Sequence, residues 1–297
     1  MQTQLTRVRT RPIFEHGLGA GGGGTAVLAG LVSAYHEVMG ENSGLSHDEQ
    51  YSTALTVEDF RANIAEVDDR IAAAASRAGR DRAEIELLPV SKTVPQERIR
   101  LAVAAGCHKL GENKVQEAHR KSEEMADLDI DWSVIGHLQS NKAKDVARFA
   151  SEFQALDRIK VARALDRRLQ GEGRSLDVYV QVNTSAEDSK FGMPPEELLG
   201  FLRDIREFDT LKVQGLMTLA IFSSDIERVR PCFRMLAELR ERARQTDPDL
   251  IGAGRLSMGM SGDFEVAIEE GSDCVRVGQA IFGKRSVPDS HYWPENG

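Results

Sequence analysis

The sequence has few cysteines, and their arrangement limits the kinds of protein it can encode. Only three occur among 297 residues, and Cys107, Cys232 and Cys274 lie far apart. An odd number without metal-ligand spacing favours neither a disulfide framework nor a zinc site. We therefore predict a reduced, cytoplasmic setting and no bound metal.

The sequence also lacks an excess of basic residues and any long apolar run. Its net charge is -9 and its pI is near 5.4, which disfavours nucleic acid and anionic membrane surfaces as partners. No apolar run approaches the roughly 20 residues that a membrane-spanning helix needs. A hydrophobic content of 41% and a charged content of 29% are typical of a globular protein. We therefore expect no nucleic acid and no membrane among its partners.

The first 56 residues show no sustained hydrophobic period. Glycines cluster between Gly17 and Gly24, and the short apolar stretch at 25–32 is broken by Gly30. This stretch makes a poor secretory signal because it is short and distant from the basic residues. Residues 1–56 are therefore predicted to be a flexible N-terminal extension, or the product of an upstream start codon, that contributes nothing to the core.

Helix and strand patterns begin at Leu55. Thr56 and Asp59 fit the looser form of a capping box, and apolar residues then recur at helical spacing up to Gly79. Strand-like runs alternate with helical segments after that. The strands are predicted at 84–92, 108–112, 131–137, 152–156, 177–183, 212–220, 255–260 and 274–282, and the helices between them at 95–105, 114–126, 139–149, 158–170, 195–207, 225–244 and 263–270.

Eight strands separated by single helices predict an α/β fold, a single-domain (β/α)8 TIM barrel over residues 57–285. Several strands are nearly continuous apolar runs, as in a parallel sheet covered by helices. Residues 286–297 are predicted to be a short C-terminal tail. The alternative is an open doubly wound sheet, which is less favoured because no Gly-x-Gly-x-x-Gly fingerprint follows the first strand.

Lys92 closes the first strand-like run. Barrel strands carry their functional groups at the carboxyl end, and a partly desolvated ammonium there is an easier nucleophile for an aldehyde. The fifth strand predicts the character of the barrel mouth. Its valines alternate with Tyr179, Gln181 and Asn183, which places the latter side chains on the interior face. The pattern indicates a polar barrel mouth, at which Lys92 can form a Schiff base.

The last two strands contain candidate phosphate ligands. Ser257, Gly259 and Ser261 are alternate residues and would lie on the same face of a strand. Gly278 would let a ligand approach the backbone without a Cβ clash. The loops after strands seven and eight often bind phosphate in barrels, but ordinary strand-to-helix turns fit the same residues equally well. Arg276 is predicted to point into the mouth, where it either contacts a ligand or forms a structural salt bridge.

Several short segments together resemble one family. They are Val90-Ser91-Lys92-Thr93, Gly111-Glu112-Asn113, Ile135-Gly136-His137, Gln181-Val182-Asn183, Gly215-Leu216-Met217, Leu256-Ser257-Met258-Gly259-Met260-Ser261, and Val275-Arg276-Val277-Gly278 through Ile281-Phe282-Gly283. In this order they resemble the pyridoxal 5′-phosphate homeostasis proteins, relatives of the alanine racemase N-terminal barrel, over roughly residues 57–285.

The resemblance implies pyridoxal 5′-phosphate (PLP) as cofactor and a role for each matched residue. Lys92 would hold it as a Schiff base, Asn113 would lie near its ring, and Arg276 would face its pyridine nitrogen. Gln279 stands where the family usually has threonine or serine, so a hydroxyl contact is missing there and only a backbone N–H could serve. The implied phosphate ligands are Ser257 and Ser261, with the backbone around Gly259, Gly278 and Gln279.

These residues favour a cofactor carrier and buffer that acts in PLP homeostasis and supplies apo-enzymes. A weak PLP-dependent racemase is the competing hypothesis, and an aldolase that uses Lys92 without a cofactor is a third. Arg276 cannot give up its proton to the pyridine nitrogen, so that nitrogen stays unprotonated and the cofactor ring is a weaker electron sink. Related racemases add a β-domain that supplies a tyrosine base, whereas residues 284–297 are too few for one. We therefore expect no catalytic residues, a monomer, and a structural role for His137 in preference to that of a general base.

Overall fold

The computed structural model describes residues 51–185, 187, 191–223 and 225–284, which belong to one compact unit, His47–Gly297. Residues 1–50 of the predicted extension and the predicted tail at 286–297 lie outside the described residues. The predicted extension includes residues 51–56, of which Ala54 packs on the barrel while Ser52, Thr53, Leu55 and Thr56 are exposed. Ala54 is buried, and its carbonyl accepts a hydrogen bond from Arg98 Nε at 2.9 Å. The packed part of the chain therefore begins before residue 57.

Eight parallel strands form one sheet in the order β1-β8-β7-β6-β5-β4-β3-β2. Val90 and Gly111 form an isolated parallel bridge between the ends of β1 and β2, which brings the two edges of the sheet together. The predicted (β/α)8 barrel is confirmed. The strands are β1 (Glu86–Pro89), β2 (Lys109–Glu112), β3 (Asp131–Val134), β4 (Ala150–Leu156), β5 (Leu176–Gln181), β6 (Leu211–Met217), β7 (Arg255–Ser257) and β8 (Cys274–Val277).

Helices separate the strands. The Thr56 hydroxyl accepts a hydrogen bond from the Asp59 N–H, and the Asp59 carboxylate accepts one from the Thr56 N–H, so the predicted capping box is present. None of the helices in the described ranges is long and apolar enough to cross a bilayer. The helices are α1 (Val57–Arg77), α2 (Gln96–Ala104), α3 (Val115–Glu124), α4 (Ala143–Phe149), α5 (Ile159–Glu172), α6 (Leu198–Ile205), α7 (Ile226–Thr246), α8 (Phe264–Glu269) and α9 (Gln279–Phe282).

Six of the eight predicted strands extend past the observed carboxyl ends, and the last two show why. The prediction of strand at 274–282 is wrong beyond Val277, because residues 279–282 form α9, where the Ile281 and Phe282 N–H groups bond to the Gly278 carbonyl. The predicted strand at 255–260 ends at Ser257. Gly259 has a φ of 95°, which strand geometry does not allow, so side-chain parity does not continue from Ser257 to Ser261.

Apolar side chains fill the layer between strands and helices, while polar ones enter the barrel. Val178 and Val180 of β5 are buried in an apolar cluster that includes α5 and α6 residues and also Tyr179. Tyr179, between them, has Cys274 and Glu152 as electrostatic neighbours inside the barrel. The alternation of faces predicted for β5 therefore agrees with the structure, and it sets the direction of the site residues that follow.

Candidate functional site

Lys92 lies three residues after the end of β1, at the carboxyl end of the barrel. The Val90 N–H donates to the Val277 carbonyl of β8 at 2.9 Å, and the Ser91 N–H donates to the Gly111 carbonyl of β2 at 3.0 Å. Val90 and Ser91 thus bond to the two strands on either side of β1, which are β8 and β2. The backbone of Lys92, which is half-buried, therefore lies at the rim between the ends of β8 and β2.

Asn113 is placed at the same rim by a close approach of Gly136. A Cβ on Gly136 would lie 1.9 Å from the Asn113 carbonyl oxygen and 2.6 Å from its Oδ1, so only glycine fits there. This contact explains the Gly136 that precedes His137 in the quoted motif. It also brings the loops after β2 and β3 together beside the end of β1.

Arg276 lies inside the barrel and is 3% exposed. Its Nη1 donates to Ser257 Oγ at 2.6 Å, and its Nη2 donates to the Thr218 carbonyl at 2.8 Å. Burial lowers the pKa of Arg276 from its ordinary value, but a guanidinium keeps its proton in proteins. The predicted structural salt bridge is absent among the described residues, since neutral oxygens accept both bonds.

A line of hydrogen bonds continues from Arg276 down the barrel. Ser257 Oγ donates to Gln154 Oε1 at 2.6 Å, and Gln154 Nε2 donates to Glu152 Oε1 at 2.7 Å. Glu152 Oε2 accepts from Lys109 Nζ at 3.1 Å. Gln154 and Glu152 are not among the predicted site residues, although they alternate with Phe153 and Ala155 as Gln181 does with its valines. The hydroxyl of Ser257 thus lies beside the Arg276 guanidinium, and its role as a phosphate ligand stays a prediction.

The turn after β7 is bonded to β8, because the Arg276 N–H donates to the Gly259 carbonyl at 3.0 Å, and a second turn follows β8 at Gly278. A Cβ on Gly259 would lie 2.7 Å from Ala267 Cβ, so packing against α8 already requires glycine there. Gly278 is different. A Cβ on it would meet only Val90, at 3.3 Å from the carbonyl oxygen. Ser261 is half-buried in the first of these turns, and Gln279 is buried in the second.

His137 belongs to a separate contact at the mouth. Its ring stacks on Phe191 with centroids 4.1 Å apart, and Arg158 Nη2 lies 3.1 Å from its Nε2. Burial, followed by the Arg158 charge, lowers the pKa of His137, which favours the neutral ring. These contacts support the structural role. No group of three or more potential metal ligands occurs among the described residues.

The structure therefore defines a (β/α)8 barrel with a lysine shortly after β1, an inward arginine on β8 and a turn after β7 that is bonded to β8. The family model for the alanine racemase N-terminal domain matches residues 62–286. The chain belongs to the pyridoxal phosphate homeostasis protein family. The member from Aquifex aeolicus is 41% identical over 222 residues, which cover 75% of this chain and 96% of that protein.

Solved structures agree with this assignment. PipY of Synechococcus elongatus, solved with PLP bound, is 33% identical with a TM-score of 0.64, and the match covers 72% of this chain and 100% of that chain. A protein from Bifidobacterium adolescentis described as unknown is 33% identical with a TM-score of 0.71, covering 78% of this chain and 99% of that one. The alanine racemase of Clostridium difficile, 13% identical with a TM-score of 0.59 over 79% of this chain and 58% of that one, shares the fold.

Proposed function

We propose that this protein binds PLP, holds it through a Schiff base on Lys92, and acts as a carrier and buffer in PLP homeostasis in the cytoplasm. The observation that carries the proposal is the position of Lys92 between the ends of β8 and β2, at the edge where the Gly278 turn and Asn113 also lie. The names of the curated relatives and the PLP bound to PipY support it.

The residues present fit this cofactor. The aldehyde that PLP supplies matches the amine of Lys92, and a pyridine nitrogen matches the N–H donors of Arg276. Ser257 and Thr218 hold the Arg276 guanidinium in place, so little side-chain entropy would be lost on binding. The backbone at Gly278 and Gln279 and the hydroxyl of Ser261 are the proposed phosphate ligands, and Asn113 is the proposed contact of the ring.

The test is chemical trapping of the cofactor. Purified protein incubated with PLP should develop visible absorption, and borohydride reduction followed by peptide mapping should place the adduct on Lys92. Lys92→Ala should lose the adduct yet keep weak, phosphate-dependent binding, because the phosphate ligands are separate from the amine. Lys114→Ala, at an exposed lysine on the same rim, should behave as the unchanged protein. An adduct that persists in Lys92→Ala would refute the assignment.

A weak racemase activity is the second candidate function, favoured only by the shared barrel. Exchange of the α-hydrogen of alanine for deuterium distinguishes the two, because racemisation requires removal of that hydrogen and carriage does not. We expect no exchange above that of free PLP. Delivery to apo-enzymes and the monomeric state are parts of the same proposal, which transfer assays with a PLP-dependent apo-enzyme and sedimentation test separately.

A further inference from the structure

A buried cluster of charges lies behind Lys92, between β2 and α3. Lys121, 1% exposed, donates from Nζ to Glu112 Oε1 at 2.7 Å and approaches Glu117 Oε1 at 2.8 Å. Glu112 is fully buried, and burial raises its pKa. Its Oε2 lacks a hydrogen-bond partner within the described part of the chain. Because burying such charges costs more free energy than apolar packing would, stability alone does not account for the cluster.

The cluster holds both peptide groups that flank Lys92. On one side, Lys121 Nζ donates to the Ser91 carbonyl at 2.8 Å, and Ser91 Oγ donates to Glu112 Oε1 at 2.6 Å. On the other side, the Thr93 N–H donates to Glu117 Oε1 at 2.9 Å. The segment that carries Lys92 is therefore attached to β2 and α3 on the Ser91 side and to α3 on the Thr93 side.

The backbone of Thr93 adopts an unfavourable conformation that these bonds hold in place. Its φ is 63°, the one positive value among the described residues other than glycine. A β-branched residue avoids this region unless its surroundings enforce it. The bond from its N–H to Glu117 is made in this conformation, so Glu117 holds the turn that ends β1 immediately after Lys92.

We propose that Lys121, Glu112 and Glu117 are positioning residues for Lys92. They hold the turn at Ser91 and Thr93 so that the amine is presented to an aldehyde at the barrel mouth. This inference rests on the proposed function. Lys121 itself is excluded as the reacting amine, since it is buried and engaged with Glu112, Glu117 and the Ser91 carbonyl.

Glu117 gives the cleanest test, because its side chain is 20% exposed and its replacement leaves no buried charge of its own. Glu117→Gln keeps an oxygen that can accept from the Thr93 N–H, whereas Glu117→Leu removes it. Three quantities are measured for each variant. They are the rate of borohydride-trapped adduct formation with PLP, the affinity for pyridoxine 5′-phosphate, which has an alcohol in place of the aldehyde, and hydrogen exchange of the Thr93 amide.

Glu117→Leu should slow adduct formation by about 10-fold or more, the effect of losing one hydrogen bond to a charged group. Its affinity for pyridoxine 5′-phosphate should stay unchanged while the Thr93 amide exchanges faster, and Glu117→Gln should restore the rate. An unchanged rate in the Leu variant, an equal loss of rate and affinity, or a Gln variant as slow as the Leu variant would overturn the inference. Failure of the unaltered protein to form a Lys92 adduct would instead refute the proposed function.

Discussion

Gly278→Ala separates ligand binding from folding at the turn after β8. Gly278 has a φ of -106° and a ψ of -74°, at the edge of the right-handed helical region, and the added Cβ would meet only Val90, at 3.3 Å from the carbonyl oxygen and 3.7 Å from Cβ. The first contact is tight, but it needs a shift of only a few tenths of an ångström. The reduced entropy of the unfolded chain offsets part of this cost, so the free energy of unfolding should change by less than about 1 kcal/mol.

The effect on ligand affinity should be larger. If the Gly278 backbone holds a phosphate, a methyl group there displaces the anion from at least one N–H. A hydrogen bond to a charged group contributes about 1.5–3 kcal/mol, which corresponds to about a 10- to 150-fold loss of affinity. Fluorescence titration with pyridoxine 5′-phosphate and with pyridoxal, which lacks the phosphate, measures this directly. The loss should appear only for the phosphorylated ligand.

A control glycine is available in α6. A Cβ on Gly200 would have nothing within 4 Å, so Gly200→Ala should leave both affinities unchanged and stabilise the helix by about 0.5–1 kcal/mol. An equal loss of affinity for pyridoxal and for the phosphorylated ligand in Gly278→Ala would mean that the turn acts through the shape of the whole site. No loss for either ligand would remove Gly278 from the phosphate site.

Two further predictions concern buried ionisable groups. Burial raises the pKa of Cys107 to about 11 and that of Cys274 to about 12. Both thiols should therefore resist iodoacetamide at neutral pH until the protein is unfolded. Full labelling of the native protein in mass spectrometry would contradict this. Burial opposes ionisation of Glu86, but the charges of Lys109 and Arg255 outweigh it and hold the pKa of Glu86 below the usual 4.5. The ionised carboxylate therefore stabilises the fold above pH 4.5, and this contribution is lost as the pH falls through the lowered pKa. Lys109→Met should lower the free energy of unfolding by about 3 kcal/mol at pH 7, and its stability in urea should depend less on acid pH. If stability falls with pH in parallel for the variant and the unaltered protein, the Lys109–Glu86 ion pair is not the cause.

Hydrophobic patterning predicts the barrel because the helices and the sheet each bury one regular face. It fails where burial is complete on all sides. The run Ala280-Ile281-Phe282 suits a buried strand as well as a buried helix, and the Gly278 carbonyl, which accepts from two N–H groups, decides for the helix. Periodicity contains no information about that bond.

The site residues divide in the same way. The position of Lys92 is predictable because it follows a strand at the barrel edge, and that of Arg276 because it alternates with outward valines, whereas Asn113 is implied by the family resemblance alone. The partners of these residues are not predictable from local pattern. Gln154 reaches Ser257 and Arg276 across the barrel from β4, and Lys121 reaches the Ser91 carbonyl from α3. Such contacts depend on strand order and on side-chain reach, which only the assembled barrel defines.

Charge is distributed unevenly inside the barrel, and this reconciles an acidic protein with an anionic ligand. The net charge of -9 gives no reason to expect attraction for a phosphate. Inside the barrel, however, Glu86 and Glu152 are both paired with Lys109. Arg276 lies nearer the mouth, where its hydrogen bonds go to the neutral oxygens of Ser257 and Thr218 and the Asp263 carboxylate acts on it only electrostatically. A charge left unpaired at low dielectric acts more strongly than exposed surface charges that water screens. The local field at the mouth can therefore favour an anion while the whole protein repels one.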